Sequence, residues 1–96
     1  MSRLVVTAAA EREYIKALRW YAERSEQAAA NFEREFDQLL NLVDGDPHQF
    51  PLCDERHRFC LMRRFPYQVI YREHHGLFAV IAVAHAKRKP GYWKDR

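Results

Sequence analysis

The eight residues Leu77-Phe78-Ala79-Val80-Ile81-Ala82-Val83-Ala84 form an unbroken apolar run that the rest of a 96-residue chain must bury. The run is far shorter than the roughly 18 to 20 residues of a membrane span. The unbroken run reads as a central strand, and a central strand needs neighbours on both sides. The segment before it supplies one neighbour. Gln68 to Glu73 alternates through Val69 and Tyr71, and His74-His75-Gly76 is the turn that joins the two as a hairpin. From Arg58 the period is also two, with Phe59, Leu61 and Phe65 on one face, Arg58, Cys60, Met62 and Arg64 on the other, and Pro66 turning the chain. Arg3 to Val6, rich in β-branched residues, is the remaining strand and is expected beside the central one.

Between the first strand and the other three the period changes to 3.6. Thr7 is an N-cap for a helix from Ala8 to about Arg24, whose buried stripe is Tyr14, Ile15, Leu18, Tyr21 and Ala22. Trp20 falls about 150° from the centre of that stripe, on the solvent side or against a partner. Ser25 ends this helix and caps the next, which carries Phe32, Phe36, Leu39, Leu40 and Val43 on one face and stops at Asp44-Gly45-Asp46-Pro47. Gly45 to His57, with Pro47 and Pro51, is a loop, and His85 to Arg96 is a basic, aromatic tail. The expected fold is α+β, β-α-α-β-β-β, a single domain over residues 1–96 with an N-terminal helical hairpin packed on a small, mainly antiparallel sheet. The start Met-Ser-Arg-Leu-Val-Val-Thr has no apolar signal-peptide region, so the expected location is cytoplasmic, with no membrane partner.

Charge divides unevenly. Residues 1–47 carry six bases and nine acids, net −3, and residues 48–96 carry ten bases and four acids, net +6. The C-terminal half therefore offers a basic face to an anionic partner, or merely a soluble surface. Several chemistries are excluded. The three glycines are isolated, so no phosphate-cradling loop is present, and Ser2 and Ser25 are poor nucleophile candidates at a terminus and a cap. Cys53 with His57 lacks an orienting third group, and Cys53, His57 and Cys60 fall short of a four-ligand zinc pattern, so no metal or cofactor is expected. What remains is Arg56, His57, Arg58, Arg63, Arg64, Arg72, Lys87, Arg88 and Lys89 with Tyr67, Tyr92 and Trp93, a set that suits RNA phosphates and bases. The competing reading sends Arg63 and Arg64 to opposite sheet faces, solvates Lys87 to Lys89 and closes the core edge with Tyr92-Trp93.

The segment Arg63-Arg64-Phe65-Pro66-Tyr67-Gln68-Val69-Ile70-Tyr71-Arg72, followed by Ile81-Ala82-Val83-Ala84-His85-Ala86-Lys87-Arg88-Lys89-Pro90-Gly91-Tyr92-Trp93, resembles the RelE/ParE toxin superfamily. Trp20-Tyr21 and the Ala28-Ala29 to Phe32 stretch resemble its helical hairpin, so the likeness covers nearly the whole chain. The resemblance implies the toxin of a type II toxin-antitoxin pair, of the plasmid-stabilisation kind, neutralised by a cognate antitoxin with an acidic amphipathic segment. Two activities occur in the superfamily. RelE-like members cut mRNA in the ribosomal A site, and ParE-like members poison DNA gyrase without being nucleases. Where RelE-type nucleases carry two strand lysines and an Arg after the turn Tyr, this chain has Phe59, Leu61 and Gln68, which points to the ParE-like activity. The runner-up is a metal-free endoribonuclease with His85 as general base and Arg63, Arg88 and Tyr92 beside it; a third reading is a non-toxic basic module. The candidate partner contacts are Trp20, Arg64, Arg72, Lys87 and Trp93.

Overall fold

Two hydroxyl side chains open the helical layer of the computed structural model, which describes residues 4–96. Thr7 Oγ1 accepts the Ala10 N–H at 3.2 Å and starts α1 (Ala8–Ala22); Ser25 Oγ accepts the Ala28 N–H at 3.1 Å and starts α2 (Glu26–Gly45). Each cap satisfies a helix-end donor that would otherwise need water, and Glu11 and Glu26 complement the positive helix ends. α1 stops short of Arg24 because the N–H groups of Arg24 and Ser25 both turn back to the Tyr21 carbonyl, which reverses the chain into α2.

The sheet order is β1-β4-β3-β2, with β1 (Leu4–Val6), β2 (His57–Leu61), β3 (Tyr67–His74) and β4 (Leu77–His85). The apolar run is central, as its sequence requires. β1 lies parallel to it, pairing Leu4 with Phe78 and Val6 with Val80, while β3 and β2 follow antiparallel. The expected start of the first strand at Arg3 lies outside the described residues. His75 and Gly76 form the tight β3–β4 turn with φ of 51° and 78°, the left-handed pair that matches strand twist. Along β3–β4 the register passes from Ile70↔Ala82 to Tyr71↔Val80, leaving Ile81 as an extra residue. Ile81 and Ala82 consequently both enter the core on the sheet face turned away from the helices.

Each sheet face has its own core. Toward the helices, Val69, Tyr71, Phe78, Val80 and Val83 meet Ala10 and Ala17 of α1 and Phe32, Phe36, Leu39 and Val43 of α2. Phe32, with no exposed area, gathers the rings of Tyr14, Tyr21, Phe65 and Tyr67 at centroid distances of 5.7, 5.2, 5.1 and 5.6 Å. On the opposite face Ile70, Ala79, Ile81, Ala82 and Ala84 are covered by Trp93, with Phe59 and Tyr92 packed against them. The tail is thus a structural layer.

Three expectations are corrected. Ile15 is 37% exposed and Ala22 is exposed, because Ala10 and Ala17 take the buried stripe and let α1 approach the sheet closely. Phe59 and Leu61 share a strand face as read, but Phe65 does not continue it, because β2 stops at Leu61. The β2 ladder ends at Leu61↔Gln68, Leu61 is 64% exposed, Cys60 and Met62 face the helices, and Phe65 reaches them from the loop. Arg63 and Arg64 sit in that loop and not on opposite faces of a strand. The segment between α2 and β2 is a loop as read, but it covers the edge of β2: the Phe59 N–H donates to the Pro51 carbonyl at 3.1 Å, and the Cys53 N–H to His57 at 2.8 Å. Among the described residues no helix is long and apolar enough to cross a membrane.

Candidate functional site

β1 is only three residues long, and its last link to β4 is the Thr7 N–H on the Val80 carbonyl at 3.1 Å, before the chain turns into α1. Beyond that point the edge of β4 has no strand beside it, and two side chains replace one. Glu13 Oε1 accepts the Val83 N–H at 3.1 Å, and Arg96 Nη1 donates to the Ile81 carbonyl at 3.1 Å. Glu13 reaches the sheet because it lies on α1 between Ala10 and Ala17, whose small side chains bring the helix close. Its carboxylate also accepts both Arg96 Nη atoms, at 2.9 and 3.2 Å, and the Tyr92 hydroxyl at 2.6 Å; Arg88 lies 3.9 Å away.

Burial alone would raise the Glu13 pKa, but the bonds from Arg96, Tyr92 and the Val83 N–H outweigh it and hold the carboxyl below its ordinary value. Burial, then the bond to Glu13, pushes Tyr92 upward, so its phenol stays a donor. The tail is thereby fixed against α1.

Beside this junction a cleft of about 350 Å³ opens between α1 and the sheet. Trp20, Tyr21, Tyr67 and Val83 give it apolar surface, and Lys16 and Arg88 give it positive charge. Trp20 is 51% exposed, as its place on the helix wheel predicts, with the Arg24 guanidinium 3.7 Å from its ring centroid. His85 also lines the cleft, nearly perpendicular to the Tyr67 ring at 5.0 Å. Its Nδ1 accepts the Lys87 N–H at 3.0 Å, which places the proton of the neutral imidazole on Nε2 and occupies the remaining lone pair.

Of the four residues of the ribonuclease reading, the fold gathers three. His85 and Arg88 line the cleft, and Tyr92 lies under Arg88, whose guanidinium is 3.9 Å from the ring. Arg63 lines a separate cavity of about 200 Å³ with Arg64 and α2 residues. The expected partner contacts also scatter. Lys87 is exposed near the cleft, whereas Arg72 lines a third cavity at the hairpin end, its Nη atoms 3.4 Å from the Glu73 and Arg96 carbonyls. Trp93 is corrected: at 5% exposure, packed on His57 at 4.8 Å, it is a core residue with almost no surface for a partner.

His57 is fully buried, with Nδ1 at 2.8 and 3.0 Å from the two Asp54 oxygens. The Cys53 thiol contacts the His57 carbonyl at 3.4 Å and not the ring, and burial together with Asp54 pushes its pKa up, so it is no activated nucleophile. Among the described residues no three His, Cys, Asp or Glu side chains are grouped to hold a metal ion. Sequence reasoning missed Glu13, Arg96 and Asp54. Only Glu13 carried a signal, its spacing from Ala10 and Ala17.

A sequence profile described as the ParE toxin of the type II toxin-antitoxin system parDE matches residues 4–90. A solved chain of a chromosomal ParDE toxin-antitoxin system from P. aeruginosa superposes with a TM-score of 0.74 at 14% identity, over 88% of this chain and 96% of that one. At that identity the likeness concerns the fold. No curated protein sequence matches.

Proposed function

The chain belongs to the ParE toxin family of type II toxin-antitoxin systems, and from that premise we propose that it arrests growth through DNA gyrase without cutting RNA. The observation that carries this reading is the state of the candidate catalytic groups. A metal-free ribonuclease needs a base with an open lone pair and donors free to meet the reacting phosphate. Here the His85 lone pair is occupied by the Lys87 N–H, the Tyr92 hydroxyl is committed to Glu13, and Arg63 lies outside the cleft. Phe59, Leu61 and Gln68 stand at the positions where the resemblance implies basic residues in the nuclease branch.

The same cleft is the proposed seat of the antitoxin. Apolar walls from Trp20, Tyr21 and Tyr67 beside Lys16 and Arg88 suit an acidic amphipathic segment, whose apolar face would cover the rings while its carboxylates meet the cations. Trp20→Ala is expected to weaken antitoxin binding at least tenfold with the fold intact; unchanged affinity would remove Trp20 from that interface.

The target is tested by inducing the toxin in bacteria and following pulse-labelled protein synthesis, DNA synthesis and the SOS response within minutes. SOS induction and filamentation with translation initially intact, equally in His85→Ala, is the expected result. An immediate translation block with mRNA cut at codons, abolished by His85→Ala, would establish the ribonuclease instead.

A further inference from the structure

Phe65 ties the far side of the loop between β2 and β3 into the core, and one acid of α2 holds its main chain at Arg63 and Arg64. Glu35 of α2 accepts the backbone N–H of Arg63 through Oε2 and that of Arg64, at 3.4 Å, through Oε1. This fixes the backbone from which the two arginine side chains spring and uses the carboxylate on main-chain donors. Among the described residues none of Arg34, Arg63 and Arg64 forms an ion pair. All three line the 200 Å³ cavity with Asn31, Glu35 and Gln38. Asn31 Oδ1 accepts from Gln27 at 3.0 Å and from Arg34 at 3.3 Å, which orients the Arg34 guanidinium and leaves the Asn31 amide N–H₂ as a donor. The cavity is therefore rich in positive donors, and its one acid is already engaged.

We infer that this arginine cavity is a binding site for the phosphate backbone of duplex DNA. Its six lining residues are all polar or charged, so it offers nothing to the apolar face of an amphipathic peptide, in contrast to the cleft beside Trp20. It also contains no aromatic ring on which an unpaired base could stack, the contact that single-strand binders commonly add to their charged groove. What it presents is guanidinium forks and amide donors, the groups that hold phosphate without reading sequence. The site is independent of the gyrase reading and would stand if that reading failed.

The test is fluorescence anisotropy of the purified full-length protein with a short mixed-sequence DNA duplex over a range of salt concentrations. Binding is expected to be independent of sequence, with log affinity falling linearly in log salt. Arg34→Gln/Arg63→Gln/Arg64→Gln should weaken binding at least tenfold at low salt and reduce the slope by about two to three, since each phosphate contact contributes about 0.9. Arg12→Gln/Arg19→Gln/Lys89→Gln removes the same charge elsewhere; equal weakening by this control would overturn the site. Glu35→Ala separates a built site from a diffuse field. It makes the protein more positive, so bulk electrostatics would tighten binding, whereas loss of the loop anchor should weaken it, and tightening would overturn the inference. Preferential binding of a polyglutamate peptide at these arginines, with DNA unaffected by the triple variant, would likewise overturn it. Circular dichroism and thermal melting confirm that each variant is folded.

Discussion

Glu13 joins elements far apart in the sequence, because α1, the bare edge of β4 and the tail residues Tyr92 and Arg96 all meet on its carboxylate. Replacing it with Gln keeps the volume but removes the charge, leaving Arg96 and the Val83 N–H with weaker acceptors. Hydrogen bonds to charged groups contribute about 1.5–3 kcal/mol each, and part of that loss is offset by water at the cleft, so Glu13→Gln should cost about 1–3 kcal/mol near neutral pH. A calorimetric midpoint lower by about 4–8 °C per kcal/mol is the expected reading for a domain of this size. The pH dependence has a definite sign. The folded-state pKa of Glu13 lies below its ordinary value of 4.5, so the unfolded chain takes up the proton first as pH falls. The stabilisation is fully present above the unfolded pKa and is lost as pH drops through the folded one. The difference in stability between the native protein and Glu13→Gln should therefore shrink in acid; a difference constant with pH would show that packing, not charge, carries the effect.

The helical hairpin shows at the element scale what periodicity can and cannot convey. Phe32, Phe36, Leu39, Leu40 and Val43 face the sheet as their spacing requires, since a long amphipathic helix leaves only one face to bury. α1 is less legible because its contact with the sheet is made by small residues, Ala10 and Ala17, that carry little hydrophobic signal, so periodicity alone places Ile15 and Ala22 on a face they do not occupy. β2 alternates as its sequence requires but ends at Leu61, short of Phe65. Alternation alone does not mark where a strand ends, and Phe65 leaves the ladder to join the aromatic cluster around Phe32. The centre of the element pairing is Phe32. Phe32→Ala removes a fully buried ring that touches four others and should cost about 3–5 kcal/mol, a large share of the roughly 5–15 kcal/mol available to a small domain. Leu42→Ala, on the exposed face of the same helix, should change stability by less than about 0.5 kcal/mol. Urea unfolding of the two variants checks the contrast, and equal costs would mean that the hairpin is not held through Phe32.

A central strand without polar residues must be covered on both faces, and among the described residues one pair of helices is available to cover them. The length of the apolar run therefore implied a second cover, although nothing in the tail's composition distinguished a solvated basic segment from a structural layer. The structure assigns the second face to Trp93, with Tyr92 and Phe59 beside it. The candidate site is legible to a similar degree: Arg88, His85 and Trp20 are named from the chain, but Lys16 is not, and Glu13 and Arg96, which order it, depend on a contact between residues far apart in the sequence. The two tryptophans make this arrangement measurable, because Trp20 is 51% exposed and Trp93 is 5% exposed. Trp20→Phe should leave a blue-shifted emission poorly quenched by acrylamide, and Trp93→Phe a red-shifted emission quenched readily. Trp93→Ala uncovers Ile70, Ile81 and their neighbours and should cost about 3–5 kcal/mol, with increased dye binding to exposed apolar surface. If both single-tryptophan variants quench alike and Trp93→Ala melts with the native protein, the tail does not close the sheet, and the Glu13–Arg96 junction that depends on its docking would fall with it.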